Sequence, residues 1–165
     1  TTTTTTTTTT VQPRLAVIGE GAFYACRKLH SVMGMEHVSC SLEPIGYRAF
    51  QNCLKLTTLD FACLTRLQVL GEHALRECRS LTIVDLSNSV LLEDIGPSAL
   101  LNCTSLEIIH LPPNLKRIEY DAFWQCRALE SIVIPASVET IGCKAFLNCS
   151  SLTRVTFQSR RHLCT

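Results

Sequence analysis

The run Leu129-Glu130-Ser131-Ile132-Val133-Ile134-Pro135-Ala136-Ser137-Val138-Glu139-Thr140-Ile141-Gly142 decides how this chain folds. Ile132 and Ile134 alternate, the period of a short strand with one face buried. The run leads into Ala145, Phe146, Cys149 and Leu152, and the whole pattern has come round before. Counted from Ile-Gly, the earlier windows carry Ala22, Phe23, Cys26 and Leu29; Ala49, Phe50, Cys53 and Leu56; Ala74, Leu75, Cys78 and Leu81; Ala99, Leu100, Cys103 and Leu106; and Ala122, Phe123, Cys126 and Leu129. The shared cysteine recurs at spacings of 27, 25, 25, 23 and 23 residues. Self-similarity at such a period is the mark of a stacked repeat protein.

Each window changes period partway. Ala99, Leu100, Cys103 and Leu106 stand at i, i+1, i+4 and i+7, one stripe of a helix. Three residues on comes an alternating pair: Leu59 and Phe61, Val84 and Leu86, Ile109 and Leu111, Ile132 and Ile134, Val155 and Phe157. In window one the pair is Val32 and Gly34. The spacing therefore predicts an α/β solenoid of six coils, each a short helical turn followed by a short parallel strand. The Gly before each turn is placed to N-cap it, with Pro97 at a first helical position. Glu119 stands where other windows carry Gly, so the site does not demand a positive φ. No single unit buries its own apolar face, but stacked units do. Insertions gather in the first three units: Gly34 to Gly46 spans 12 residues, whereas Ile134 to Gly142 spans 8.

These windows, of the form Ile-x-x-Gly-x-x-Ala-Phe-x-x-Cys-x-x-Leu with strands reading Leu-x-x-Ile-x-Leu-Pro-Pro, resemble the BspA-like (Treponema-type) leucine-rich repeats. The resemblance covers residues 15 to about 157. Windows three and four carry Leu for Phe, window five lacks the Gly, and window one lacks the second strand residue. The resemblance implies a protein-binding solenoid and no catalysis. It also implies an extracellular or cell-surface setting, since such proteins include bacterial surface antigens and adhesins. An intracellular scaffold or adaptor of the same fold is the alternative.

Composition agrees with a binding module. The chain has 165 residues and a net charge of +1, without the basic footprint of a nucleic-acid binder. No window reaches the roughly 18 apolar residues of a membrane span. Residues 1–10 are all Thr and read as a disordered low-complexity tract, ahead of a repeat domain over 11–165. Residue 1 is not Met, and no polar cap follows Phe157. The first suggests a processed product or a fragment, and the second suggests that the array continues or that a partner covers the open end.

Ten cysteines first suggest a disulfide or metal framework. Six of them, Cys26, Cys53, Cys78, Cys103, Cys126 and Cys149, share one repeat position and read as a structural ladder of buried thiols packing as small hydrophobes. No Cys-x-x-Cys pair exists, and no cofactor or resident metal is expected. Cys40, Cys63, Cys143 and Cys164 fall off register, and a Cys40–Cys63 disulfide requires an oxidising compartment. Asn102 and Asn148 sit in glycosylation acceptor patterns that the repeat itself generates. Arg160-Arg161-His162 is too small a basic cluster to imply nucleic acid.

Strand residues beside the buried pairs face outward, on the sheet that solenoids use to bind partners along their concave side. The outward positions Asp60, Ile83, Asp85, Ile108, His110 and Val133 combine apolar and charged groups, a mixture suited to a protein partner. Asp60, Asp85 and His110 on adjacent rungs have the donor chemistry of a divalent-ion site, but a solvated strand face is the expected role. No nucleophile elbow, phosphate loop or isolated acid–base pair is present.

Overall fold

The computed structural model describes residues 15–32, 42–59 and 64–159. Eleven short strands occur among them: β1 (Ser31–Val32), β2 (Pro44–Ile45), β3 (Thr58–Leu59), β4 (Val69–Leu70), β5 (Ile83–Asp85), β6 (Asp94–Ile95), β7 (Ile108–His110), β8 (Arg117–Ile118), β9 (Ser131–Ile134), β10 (Thr140–Ile141) and β11 (Arg154–Phe157). All pairings are parallel and join residues about one repeat apart. β2, β4, β6, β8 and β10 form one five-stranded sheet, extended by a bridge from Ile18 to Ile45. β1–β3, β5–β7 and β9–β11 pair on the other side, with Ile83 opposite Ile108 and Val84 opposite Ile109. The strands form where β-branched residues cluster, because these fit a pleated, half-buried surface. The five-stranded sheet defines about five turns of solenoid.

That sheet was not foreseen. Ile45, Leu70, Ile95 and Ile118 were legible as repeat markers, yet two residues per strand give no alternation to detect.

The predicted helical turns are corrected. No helix occurs among the described residues. In each window the residues flanking the buried Ala-Phe or Ala-Leu pair turn left-handed: Arg48 and Asn52 at φ 55° and 63°, His73 and Glu77 at 58° and 64°, Asp121 and Gln125 at 55° and 61°. A right-handed helix cannot run through such residues. Instead, backbone donors alternate. Ala49, Gln51 and Cys53 N–H donate three residues back, closing consecutive tight turns. Arg48, Phe50 and Asn52 N–H donate across to Glu72, Ala74 and Arg76 C=O at 3.0, 2.8 and 2.9 Å. The turn segment is thus a third ladder between stacked turns, and the α component of the expected α/β class drops out. The i, i+1, i+4, i+7 stripe still points inward, with Ala99, Leu100, Cys103 and Leu106 fully buried. Consecutive turns bring the same positions to one side, so the pattern alone does not separate them from a helix. Pro97 accordingly begins a turn instead of a helix, and the Gly before it caps no helix.

The repeated glycines serve close approach. A Cβ on Gly96 would lie 2.5 Å from Leu70 O, and one on Gly142 would lie 2.5 Å from Tyr120 N. As Glu119 implied, none of Gly46, Gly71, Gly96 and Gly142 has a positive φ. The core is a set of columns, one per repeat position, with Phe50 and Phe123 its largest fully buried side chains. Phe23 stacks on Phe50 at 4.9 Å and Phe123 on Phe146 at 5.2 Å between ring centres.

Expectations on Thr1–Thr10, Asp60, Cys40, Cys63, Cys164 and Arg160-Arg161-His162 lie outside the described residues.

Candidate functional site

The outward face of β5, β7 and β9 gathers most of the expected residues. Because β5 and β7 pair in register, Ile83 faces Ile108 and Asp85 faces His110. Val84, Ile109 and Ile132 take the inward side and are buried, so alternation sends Ile83, Ile108 and Val133 outward at 50%, 43% and 46% exposure. Asp85 Oδ1 lies 3.6 Å from His110 Nδ1 and accepts the Ser87 N–H at 3.0 Å. Partial burial pushes the Asp85 carboxyl upward. The Ser87 hydrogen bonds and the nearby His110 outweigh this and hold it below the usual carboxylate range. A shallow cleft of about 350 Å³ joins His110 and Val133, with Ser87, Pro113, Pro135 and Gln158 also lining it. The structure thus brings Ile83, Asp85, Ile108, His110 and Val133 onto one surface.

Asp85 and His110 supply two polar donors there. Among the described residues, no three His, Cys, Asp or Glu side chains gather into a group that could hold a metal ion.

The five-stranded sheet offers a different surface, which sequence reasoning missed. Its charges are spent on one another. Arg66 pairs with Glu43 at 2.6 Å, Lys116 with Glu93 at 2.7 Å, and Arg117 with both Asp94 and Glu119. The hydrogen bond and charge of Glu93 raise the Lys116 pKa. Glu93 and Lys116, like Asp94 and Arg117, lie one 23-residue repeat apart, a signal that the repeat length makes readable. Exposed pairs of this kind contribute little to stability, because solvent screens them and ordering two long side chains costs entropy. They leave little unpaired charge for a partner.

The repeat-position cysteines form a regular series. Cys53, Cys78, Cys103 and Cys126 are fully buried. Each thiol donates to the carbonyl of the preceding turn, from Cys53 to Phe23 at 3.1 Å through Cys126 to Leu100 at 3.3 Å. Cys149 does the same to Phe123 at 3.2 Å but is half-buried, and Cys26 is exposed. These two depart from the expected full burial because each lies on an outermost described turn, with a neighbour on one side only. Burial pushes the Cys53 pKa up to about 11 and those of Cys78, Cys103 and Cys126 further up, so none is an activated nucleophile. All seven described cysteines, including exposed Cys143, are unpaired.

The sequence pattern described as the BspA type leucine rich repeat region, in six copies, matches residues 2–128 and 89–163. The chain belongs to the BspA-type leucine-rich-repeat family. A leucine-rich cell surface protein from Faecalibacterium prausnitzii is similar in structure, with a TM-score of 0.75 at 29% identity over 88% of this chain and 37% of that one. A leucine-rich repeat protein from Eubacterium ventriosum gives 0.61 at 27% identity, over 89% and 36% of the two chains. The leucine-rich repeat protein of T. pallidum gives 0.54 at 28%, over 86% and 51%. The chain therefore spans between about a third and half the length of these relatives. No curated protein matches it. Among the described residues, no helix is long and apolar enough to cross a membrane.

Proposed function

We propose that this chain is a non-catalytic protein-binding module that recognises its partner on the outward face of β5, β7 and β9, in a surface-recognition or adhesive role. The observation that carries this reading is the Ile83–Ile108 pair, half-exposed in register beside Asp85 and His110. An apolar centre with polar neighbours suits a protein interface, where a few buried anchors carry most of the affinity. On the opposite sheet the charges are internally paired and the outward positions Asp94, Arg117 and Thr140 are polar, leaving exposed Val69 beside Pro44 as its apolar patch. Family membership supports an interaction role, and the cell-surface description of the Faecalibacterium relative supports the setting. Asp60 belongs to the proposed surface by its repeat position alone.

The test compares what immobilised wild-type chain captures with what an Ile83→Asp, Ile108→Asp variant and an Arg66→Ala control capture. Specific capture should survive Arg66→Ala and disappear in the double variant while its circular dichroism stays native. Equal capture by all three sinks the proposal.

The unpaired state of the seven described cysteines favours a second reading, an intracellular scaffold or adaptor in a reducing compartment. A glycan decides between them. Asn148 is exposed, whereas the half-buried Asn102 amide donates to Glu77 at 2.8 Å, so glycosylation in a secreted protein falls on Asn148. A mass shift at Asn148 of chain isolated from its native cells would support the surface setting.

A further inference from the structure

The outward face of β5, β7 and β9 carries one sign of fixed charge. No Lys or Arg occurs on these three strands or at Thr82, Glu107 and Glu130, the residues that precede them. Glu107 and Glu130 hold the same repeat position on neighbouring turns, and both are exposed. The ion pairs among the described residues leave both carboxylates unpaired. Asp85 pairs with His110 alone, at 3.6 Å. The opposite sheet, by contrast, interleaves Arg66, Lys116 and Arg117 with its carboxylates. Described turns precede β5 and follow β9, so strand alternation sets the exposure of this face.

The carboxylates bracket the apolar centre. Glu107 stands one residue before Ile108, and His110, which faces Asp85, stands two residues after it. At about 3.3 Å per strand residue, the two acidic rows lie about 10 Å apart, with the Ile83–Ile108 pair between them. Beside that pair the sheet is interrupted. β7 pairs with β5 and β9 with β11, in separate sheets, and the cleft of about 350 Å³ takes its walls from both sides of the break. Ile109, Leu111 and Pro113 line it from one turn, Val133 and Pro135 from the next. The two prolines bring apolar rings and no N–H donor to these walls.

We infer that the partner on this face is a basic protein segment, one that seats an apolar side chain in the cleft between β7 and β9 and sets Lys or Arg against Glu107, Glu130 and Asp85. This rests on the proposed use of the face and adds the charge of what it takes. An acidic partner would bring like charge to unpaired carboxylates, which costs affinity, whereas a basic one is steered in and neutralises them. An apolar centre inside a charged rim fits one anchor side chain with cations on either side of it. Cations about 10 Å apart are three residues apart in an extended segment.

A random peptide library displayed on phage and selected on the full 165-residue chain tests this. Selected sequences should be rich in Lys and Arg around an apolar residue. As synthetic peptides they should bind a Glu107→Lys, Glu130→Lys variant about tenfold or more weakly than wild type. Both glutamates are exposed, so that variant should keep the native circular dichroism. Binding should also weaken between about 0.1 and 1 M salt, where the screening length falls from about 10 to 3 Å. The Ile83→Asp, Ile108→Asp variant separates the two readings. Peptides that bind it as they bind wild type refute the use of this face altogether. Peptides that lose binding there, yet hold the glutamate-reversed variant as tightly as wild type, leave the face in use and overturn the basic partner alone. Selection of acidic or uncharged sequences, a library that yields no binder, binding indifferent to salt, or self-association of the chain through this face would overturn it as well.

Discussion

Replacing Gly96 with Ala should destabilise the fold, whereas the same replacement at Gly19, the same repeat position, should not. At Gly96 the new Cβ would lie 2.5 Å from Leu70 O, 3.0 Å from Gly71 C and 3.1 Å from Glu72 N. All three are backbone atoms, so no side chain can swing aside. Relief requires the turns to part by several tenths of an ångström, which strains the Gly96 N–H to Leu70 O bond, already 3.2 Å long. Overpacking costs about 1–3 kcal/mol and a weakened hydrogen bond about 1 kcal/mol, giving ~2–4 kcal/mol. For a chain of this size that lowers the melting temperature by roughly 4–16 °C. At Gly19 nothing lies within 4 Å and φ is not positive. There the Ala should only restrict the unfolded chain, stabilising by about 0.4–1 kcal/mol. Thermal unfolding followed by circular dichroism at low protein concentration measures both. The reasoning fails if Gly96→Ala melts within about 1 °C of wild type, or if the two variants shift together. Glu119 makes the test demanding. It shows that one turn has found room for a Cβ, whereas the backbone atoms around Gly96 leave none.

Three further outcomes follow from the columns. Phe123→Ala, at a fully buried ring stacked on Phe146, should cost about 3–5 kcal/mol in denaturant unfolding. Under native conditions a thiol reagent should modify Cys26 and Cys143 ahead of the other described cysteines and leave Cys78, Cys103 and Cys126 untouched until the chain unfolds, as peptide mapping would show. The same burial gives a pH dependence. Burial raises Cys53 from 9.0 to about 11, so the unfolded chain loses that proton at lower pH than the folded one. Stability should be intact below pH 9 and fall as pH rises from 9 through 11. Cys53→Ala should make the fall in that window shallower without abolishing it, since Cys78, Cys103 and Cys126 are raised by burial as well, and urea titrations at stepped pH would show this.

Much of this architecture was readable in one dimension because a solenoid repeats its contacts. A column of Cys or Ala positions in space is a column in the aligned windows, so the inward Ala, Phe or Leu, Cys and Leu residues were identified residue by residue. The outward placement of Ile83, Asp85, Ile108 and His110 came from strand alternation, and the register of β5 with β7 follows the repeat. The local conformation between glycine and cysteine was not readable. A stripe at i, i+1, i+4 and i+7 suits a helix and equally suits consecutive tight turns. Arg48 and Lys144, which turn left-handed, are not types that announce it, although His73 and Asp121 are among the types enriched there. Asn52, Asn102 and Asn148 gave the better hint, since asparagine enters that region most readily.

The sequence by itself determined the repeat, its length, its inward columns and the parallel order of its strands, because these depend only on which positions recur. Tertiary structure decided how each turn closes. Alternate backbone groups can satisfy a neighbour only when that neighbour is stacked alongside, so the exchange of helix for a third ladder is settled between turns and not within one. The same stacking decided which cysteines are buried, which charges are paired and which faces remain open. Cys26 and Cys53 occupy one repeat position, yet one is exposed and the other buried, because among the described residues only the second has a turn on both sides.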